Sequence, residues 1–163
     1  MITQQSAHMV ENIKLSKNFW LYEMLESQTA RRYEFEEQYE PTEKIIDNLK
    51  ALCENILQPL RDDLKTSISV SSGYRCQRLN TAIGGASKSQ HLTAHAADIQ
   101  CFQIGNEELL KRIAKLKLPF DQMINEFNYA WVHISYDPSK NRRQILEAYK
   151  NSNRQTKYRE ITL

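Results

Sequence analysis

After Pro41-Thr42, apolar residues recur at helical spacing: Ile45, Ile46, Leu49, Leu52, Cys53, Ile56, Leu57 and Leu60. The stripe predicts a helix with a buried face. Thr42 is placed to cap it, Glu43 and Asp47 favour its early turns, and Pro59 marks the approach to its end. From Ser67 to Ser71 the period changes to two, as in a half-buried strand. Ala94–Cys101 predicts a second strand. Asn106 is placed to cap a helix to about Lys117, with Leu109, Leu110, Ile113 and Leu116 on one face and Pro119 as its stop. Asp121–Glu126 and Trp131–Tyr136 predict two short strands joined by the four-residue loop Phe127–Ala130. The tail from Lys150 is polar, with a last strand at Tyr158–Leu163. Residues 1–40 are rich in Gln, Glu and Arg, with scattered aromatics. They predict an arm with a short helix near Leu21–Ser27, packed on a single domain at 41–163. Helices first and a mostly antiparallel sheet afterwards define the α+β class.

Composition removes several function classes. Hydrophobic residues at 40% and charged residues at 26% are ordinary globular usage, which excludes a disordered or fibrous chain. A net charge of +2 lacks the basic stripe of a nucleic-acid binder. No apolar run is long enough to span a bilayer. Met1–Glu11 shows no apolar core of a secretory signal, so none is expected. Cys53, Cys76 and Cys101 form no C-x-x-C and cannot all pair, so free thiols in a reducing compartment are expected.

The chemistry gathers around two of the four histidines. His91 and Asp98 lie seven apart, across a loop that enters a strand of small residues; His133 lies inside an apolar strand. Alternation puts Ala94, Ala96, Asp98 and Gln100 on one face of the first strand. It puts Trp131, His133 and Ser135 on one face of the later one. If Ile99, Val132 and Ile134 pack on helices, Asp98 and His133 emerge together and His91 folds over them. Two neutral imidazoles and a carboxylate leave one open position on Zn²⁺, the catalytic arrangement. The competing reading keeps His133 as a satisfied core histidine and Asp98 as a strand-edge carboxylate. The same alternation turns His95 away from Asp98, and His8 has no evident partner. If Glu126 pairs with Trp131, then Ile124 pairs with His133. Glu126 then lies diagonal to His133, ~7–8 Å away between backbones, within reach as a general base. Asp121 is a second candidate, turned by alternation to the opposite face. Arg75, after the Ser71–Ser72 strand end, is a candidate anion contact for a substrate carboxylate or an oxyanion.

Five motifs occur in order: Ser72-Gly73-Tyr74-Arg75 with Leu79-Asn80, Gly84-Gly85, Ser89-Gln90-His91 with Asp98, Phe120-Asp121-Gln122 with Ile124 and Glu126, and Trp131-Val132-His133-Ile134-Ser135. Together they resemble the M15 zinc peptidases, D-alanyl-D-alanine carboxypeptidases and L-alanyl-D-glutamate endopeptidases, many of them phage cell-wall lysins. Leu15–Phe19 and Leu57–Arg61 resemble the compact branch of that family, and the resemblance runs from about Leu15 to Tyr149. It implies a hedgehog/DD-peptidase-like fold and one Zn²⁺ per chain held by His91, Asp98 and His133. Arg75 then matches the arginine that contacts substrate or transition state, and Glu126 the acidic residue of the Asp-Gln-x-Ile-x-Glu pattern. Three positions depart from the family pattern. Ala94 stands where glycine is usual and Cys76 where serine or threonine is common. Ala130 stands where many relatives carry a carboxylate three residues before the last histidine. The implied function is hydrolysis of peptidoglycan stem or crosslink peptides, without nucleic-acid partners or membrane insertion. The implied setting is a phage or prophage lysin, made in the host cytoplasm and released with a holin, or carried in a phage particle. A wall-binding or virion component that keeps the fold without the chemistry is the alternative.

Overall fold

The structure is a computed structural model and describes residues 11–163. His8 lies outside the described residues. Two short helices open the fold, α1 (Leu21–Leu25) and α2 (Gln28–Arg32), and a 3-10 turn follows at Glu36–Tyr39. The sequence pattern showed only the first of them. Leu15, Phe19, Leu21, Met24 and Leu25 are buried in the main core, so this segment contributes to the interior.

The amphipathic stripe forms one long helical stretch: α3 (Glu43–Leu52), a π segment (Cys53–Leu57) and α4 (Gln58–Leu64). Thr42 Oγ1 caps it by accepting the Ile45 N–H. The π segment leads into Pro59, whose ring would crowd the carbonyl four residues earlier in a regular helix. The wider turn also brings polar Gln58 inward. Its Oε1 accepts from Ser16 Oγ (3.0 Å) and Asn18 N (2.8 Å). Its Nε2 donates to Asn18 Oδ1 and Asp62 Oδ1, both at 3.0 Å. Gln58→Ala removes all four bonds, and denaturant unfolding should show a loss of about 1–3 kcal/mol.

Six strands follow with order β1-β2-β4-β3-β5-β6. They are β1 (Ser69–Ser72), β2 (Ala96–Gln100), β3 (Gln122–Glu126), β4 (Trp131–Ser135), β5 (Gln144–Lys150) and β6 (Thr156–Glu160). Helix α5 (Gln77–Ala82) lies between β1 and β2, and α6 (Asn106–Lys115) between β2 and β3. Every pairing is antiparallel except β3 with β5. The sheet is therefore mostly antiparallel in an α+β chain, while β5 and the helices α2 and α5 have no counterpart in the sequence reading. Val70, Ala97, Ile99, Met123, Val132, Ile134 and Ile145 pack one face against the helices. The opposite face carries Asp98, His133, Ile124, Glu126 and Ala148, set by the cross-strand pairs.

Several local features differ from the sequence expectation. Asn106 does not cap α6; Gly105 precedes the helix as its cap residue. The Asn106 side chain instead accepts the Cys101 N–H and donates to the carbonyls of Tyr129 and Ala130. Those bonds brace the β3–β4 loop, where Phe127, Asn128 and Tyr129 are all left-handed (φ 46, 59 and 62°). Ala94 precedes β2 with φ 59°, in the region where glycine costs least. Cys76 caps α5 with its sulfur, accepting the Leu79 N–H at 3.4 Å.

All three cysteines are free and buried. Burial, then the nearby Glu23 and Glu54, pushes the Cys53 thiol up, so its reactive thiolate is scarce. Alkylation under denaturing, non-reducing conditions should modify three thiols, while native Cys53 should react slowly. A mass showing fewer than three would reveal a disulfide or a metal-held sulfur.

Candidate metal centre

Asp98 sits mid-strand in β2, directly opposite His133 in β4 and Ser72 in β1. A bulge between Val70 and Ser72 turns Ser72 onto the Asp98 face. His91 comes from the 3-10 turn Gln90–Thr93, which begins where Ser89 Oγ accepts the His91 N–H. The His91 carbonyl accepts N–H bonds from Arg75 and Ala94. The turn is thus tied to the strand end and to the entry of β2.

The His91 ring is 2% exposed, and its Nδ1 lies 2.6 Å from the Gly73 carbonyl oxygen. A carbonyl only accepts, so Nδ1 carries the proton and Nε2 presents a lone pair. That lone pair faces Asp98 Oδ1 at 3.2 Å and His133 Nδ1 at 3.2 Å, and His133 Nδ1 lies 3.0 Å from the same Oδ1. Burial holds His91 below its ordinary pKa despite Asp98, so the ring is neutral and Nε2 stays free. Two acceptors, Nε2 and Oδ1, therefore face each other in a buried space, which calls for a cation between them. Ligands 2.0–2.1 Å from a tetrahedral centre are about 3.3 Å apart, close to these separations. The donor set fits a single divalent ion with three protein ligands. It is the one group of three potential ligands found among the described residues. His95 stands outside it, with Nδ1 2.9 Å from Thr93 Oγ1.

Arg75 lies beside the same carboxylate. Its Nη2 donates to Asp98 Oδ2 at 2.6 Å and its Nε to Ser72 Oγ at 2.8 Å. Each Asp98 oxygen thus has its own task, Oδ1 toward the imidazoles and Oδ2 toward the guanidinium. Gly73 makes the arrangement possible: a Cβ there would stand 2.4 Å from the Met24 carbonyl oxygen. Only glycine lets this strand end pass against α1 and aim its carbonyl at His91. The sequence reading gave Gly73 and Ser72 no role; the Ser-Gly-Tyr-Arg motif was the available signal.

Glu126 ends β3 opposite Trp131, with Ile124 opposite His133. It is 8% exposed, and its carboxylate takes no hydrogen bond from the described residues. Burial first, opposed by His133 and reinforced by Asp98, pushes it up to about 7. It can therefore exchange a proton near neutral pH. Asp121 cannot serve in its place. Its Oδ1 accepts from Arg142 N (3.0 Å) and Nε (2.7 Å), and its Oδ2 from Arg142 Nη2 (2.6 Å) and Gln90 Nε2 (2.9 Å). Burial opposes these bonds, yet they hold Asp121 down at about 2.

The raised Glu126 has a consequence for the metal-free protein. Between its ordinary value of 4.5 and about 7, the unfolded chain has released the proton while the folded one keeps it. Stability then falls as pH rises through that window. Glu126→Gln should remove the fall, gaining about 1–3 kcal/mol on wild type between pH ~5 and ~8 once solvent screening is allowed for. Denaturant unfolding in chelator at both pH values measures it. The opposite slope from His91 is common to both proteins and cancels.

A buried set of three such ligands, with a proton acceptor beside it, belongs to the metal-dependent hydrolases. The family model described as Peptidase M15 matches residues 17–135, a range that includes the five candidate residues His91, Asp98, His133, Arg75 and Glu126. The chain belongs to the Peptidase M15 family and is a peptidase of the metallopeptidase type. No curated protein matches it. Among the described residues, no helix is long and apolar enough to cross a membrane.

Proposed function

We propose that the protein is a zinc-dependent peptidase that hydrolyses a peptide bond in the stem or crosslink peptides of bacterial peptidoglycan, in the setting of a phage or prophage lysin. The observation that carries it is the facing pair of lone pairs, His91 Nε2 and Asp98 Oδ1, 3.2 Å apart and completed by His133. When bound, Zn²⁺ supplies a Lewis acid that polarises the scissile carbonyl and makes water acidic enough to attack near pH ~7. Glu126 takes the proton from the attacking water and returns it to the leaving amine. Arg75 fixes Asp98 through Oδ2, and its Nη1 edge has no partner among the described residues. That edge is available to a substrate carboxylate or a developing oxyanion. The cell-wall substrate rests on the family.

Mass spectrometry of purified muropeptides, after incubation with the zinc-loaded protein, tests the proposal. A new fragment names the bond and separates carboxypeptidase from endopeptidase. Muropeptides left intact at full zinc occupancy would overturn it and leave the wall-binding alternative.

A further inference from the structure

The sheet continues past the matched residues, and the two added strands bring a new side chain to the site face. Across the sheet, Trp131 pairs with Glu126, Glu126 with Ala148, and Ala148 with Tyr158. Directly paired residues project on the same face, so these four form one row. The row spans three strand spacings, about 14 Å. Glu126 and the small Ala148 form its floor, both buried. Trp131 stands at one end, supported edge-on by Phe127 at 5.6 Å, with the Lys150 ammonium 5.1 Å from the Phe127 ring centre. Tyr158 stands at the other end, 53% exposed, its hydroxyl without a hydrogen-bond partner among the described residues.

We propose that Tyr158 is the outer wall of the substrate cleft and that its phenol O–H donates a hydrogen bond to an oxygen of the bound peptide, flanking the base Glu126. The inference rests on the peptidase reading and adds a contact from outside the matched residues 17–135. Two further observations fit. Ala148 carries only a methyl group, so the residue paired between Tyr158 and Glu126 adds little bulk to the row. Partial burial, then the negative charges of Glu126 and Asp98, raise the Tyr158 pKa. The phenol therefore keeps its proton and remains a donor at neutral pH. One strand separates it from β3 and two from β4, which makes it a contact for the substrate beside the scissile bond. Its oxygen partner is a peptide carbonyl or a side-chain carboxylate of the stem peptide.

The test compares wild type, Tyr158→Phe and Tyr158→Ala at matched zinc content. Kinetics are read on the cleaved muropeptide, and equilibrium binding on a Glu126→Gln background that holds the muropeptide intact. Tyr158→Phe should raise KM and Kd about 2–10-fold, the worth of one hydrogen bond, with kcat within about twofold. Tyr158→Ala should raise them further. Repeating the binding with the muropeptide carboxylates amidated separates the two oxygen sources: the Phe effect shrinks if a carboxylate is the acceptor, since the remaining amide oxygen makes a weaker uncharged bond, and is unchanged if a peptide carbonyl is. Unchanged KM and Kd in both variants, or a fall in kcat alone, would overturn the proposal. If wild type cleaves nothing but binds muropeptides with a Tyr158-dependent Kd, the peptidase reading fails and the contact stands.

Discussion

Asp98→Ala should empty the metal site and weaken the surrounding fold. The side chain meets two imidazoles through Oδ1 and the Arg75 guanidinium through Oδ2. Its removal takes away one of three protein ligands and leaves a largely buried arginine without its counter-charge. Breaking such a pair costs about 3–5 kcal/mol. Metal analysis should find almost no bound zinc, and unfolding curves should show the loss even in chelator. Asp98→Asn separates the two effects. An amide oxygen still accepts from Arg75, so much of the stability should return while metal retention stays poor. His95→Ala should leave the zinc content unchanged. A zinc content that survives Asp98→Ala and is lost in His95→Ala would refute the assignment.

Glu126→Gln should preserve the metal and lose the chemistry. Glutamine keeps the size of the side chain but cannot take a proton. The residue makes no contact with the metal ligands within hydrogen-bonding distance, so zinc content should stay near wild type. Cleavage should fall by about 10²–10⁴-fold, the usual share of general acid–base catalysis. The comparison requires equal zinc loading, because a metal-free fraction mimics a catalytic defect. Near-normal turnover would remove Glu126 as the base. Asp121 would not replace it, since Arg142 and Gln90 occupy its oxygens.

Strand alternation made part of this site legible. Asp98 and His133 could be placed on one face because Ile99, Val132 and Ile134 had to face the core. The register of Glu126 followed from a four-residue loop. Other parts depend on contacts between distant segments. The tautomer of His91 is set by the Gly73 carbonyl, whose direction depends on Gly73 passing Met24; no periodicity encodes that. The engagement of Arg75 with Asp98 depends on a bulge in β1, and only its motif hinted at a role. Strand β5 is not legible in the sequence because Gln144–Lys150 has little alternation, with Ile145, Leu146, Ala148 and Tyr149 among polar residues, and it pairs parallel to a strand that precedes it by two. Asn106 is a good cap by residue type, yet the loop carbonyls of Tyr129 and Ala130 compete for it and win.

The π segment at Cys53–Leu57 bears on how this chain compares with its relatives. Such a segment is what remains when one residue is inserted into a regular helix and the flanking turns keep their contacts. Each residue of a regular helix turns about 100°. Deleting one residue from 53–57 should therefore heal the helix without rotating Leu60 or Gln58 out of place, whereas deleting one from Glu43–Leu52 should misdirect everything before it. A relative with an uninterrupted helix would align here with a one-residue gap. Single-residue deletions scanned along 43–64, with soluble yield and melting temperature as readouts, should be tolerated best between 53 and 57.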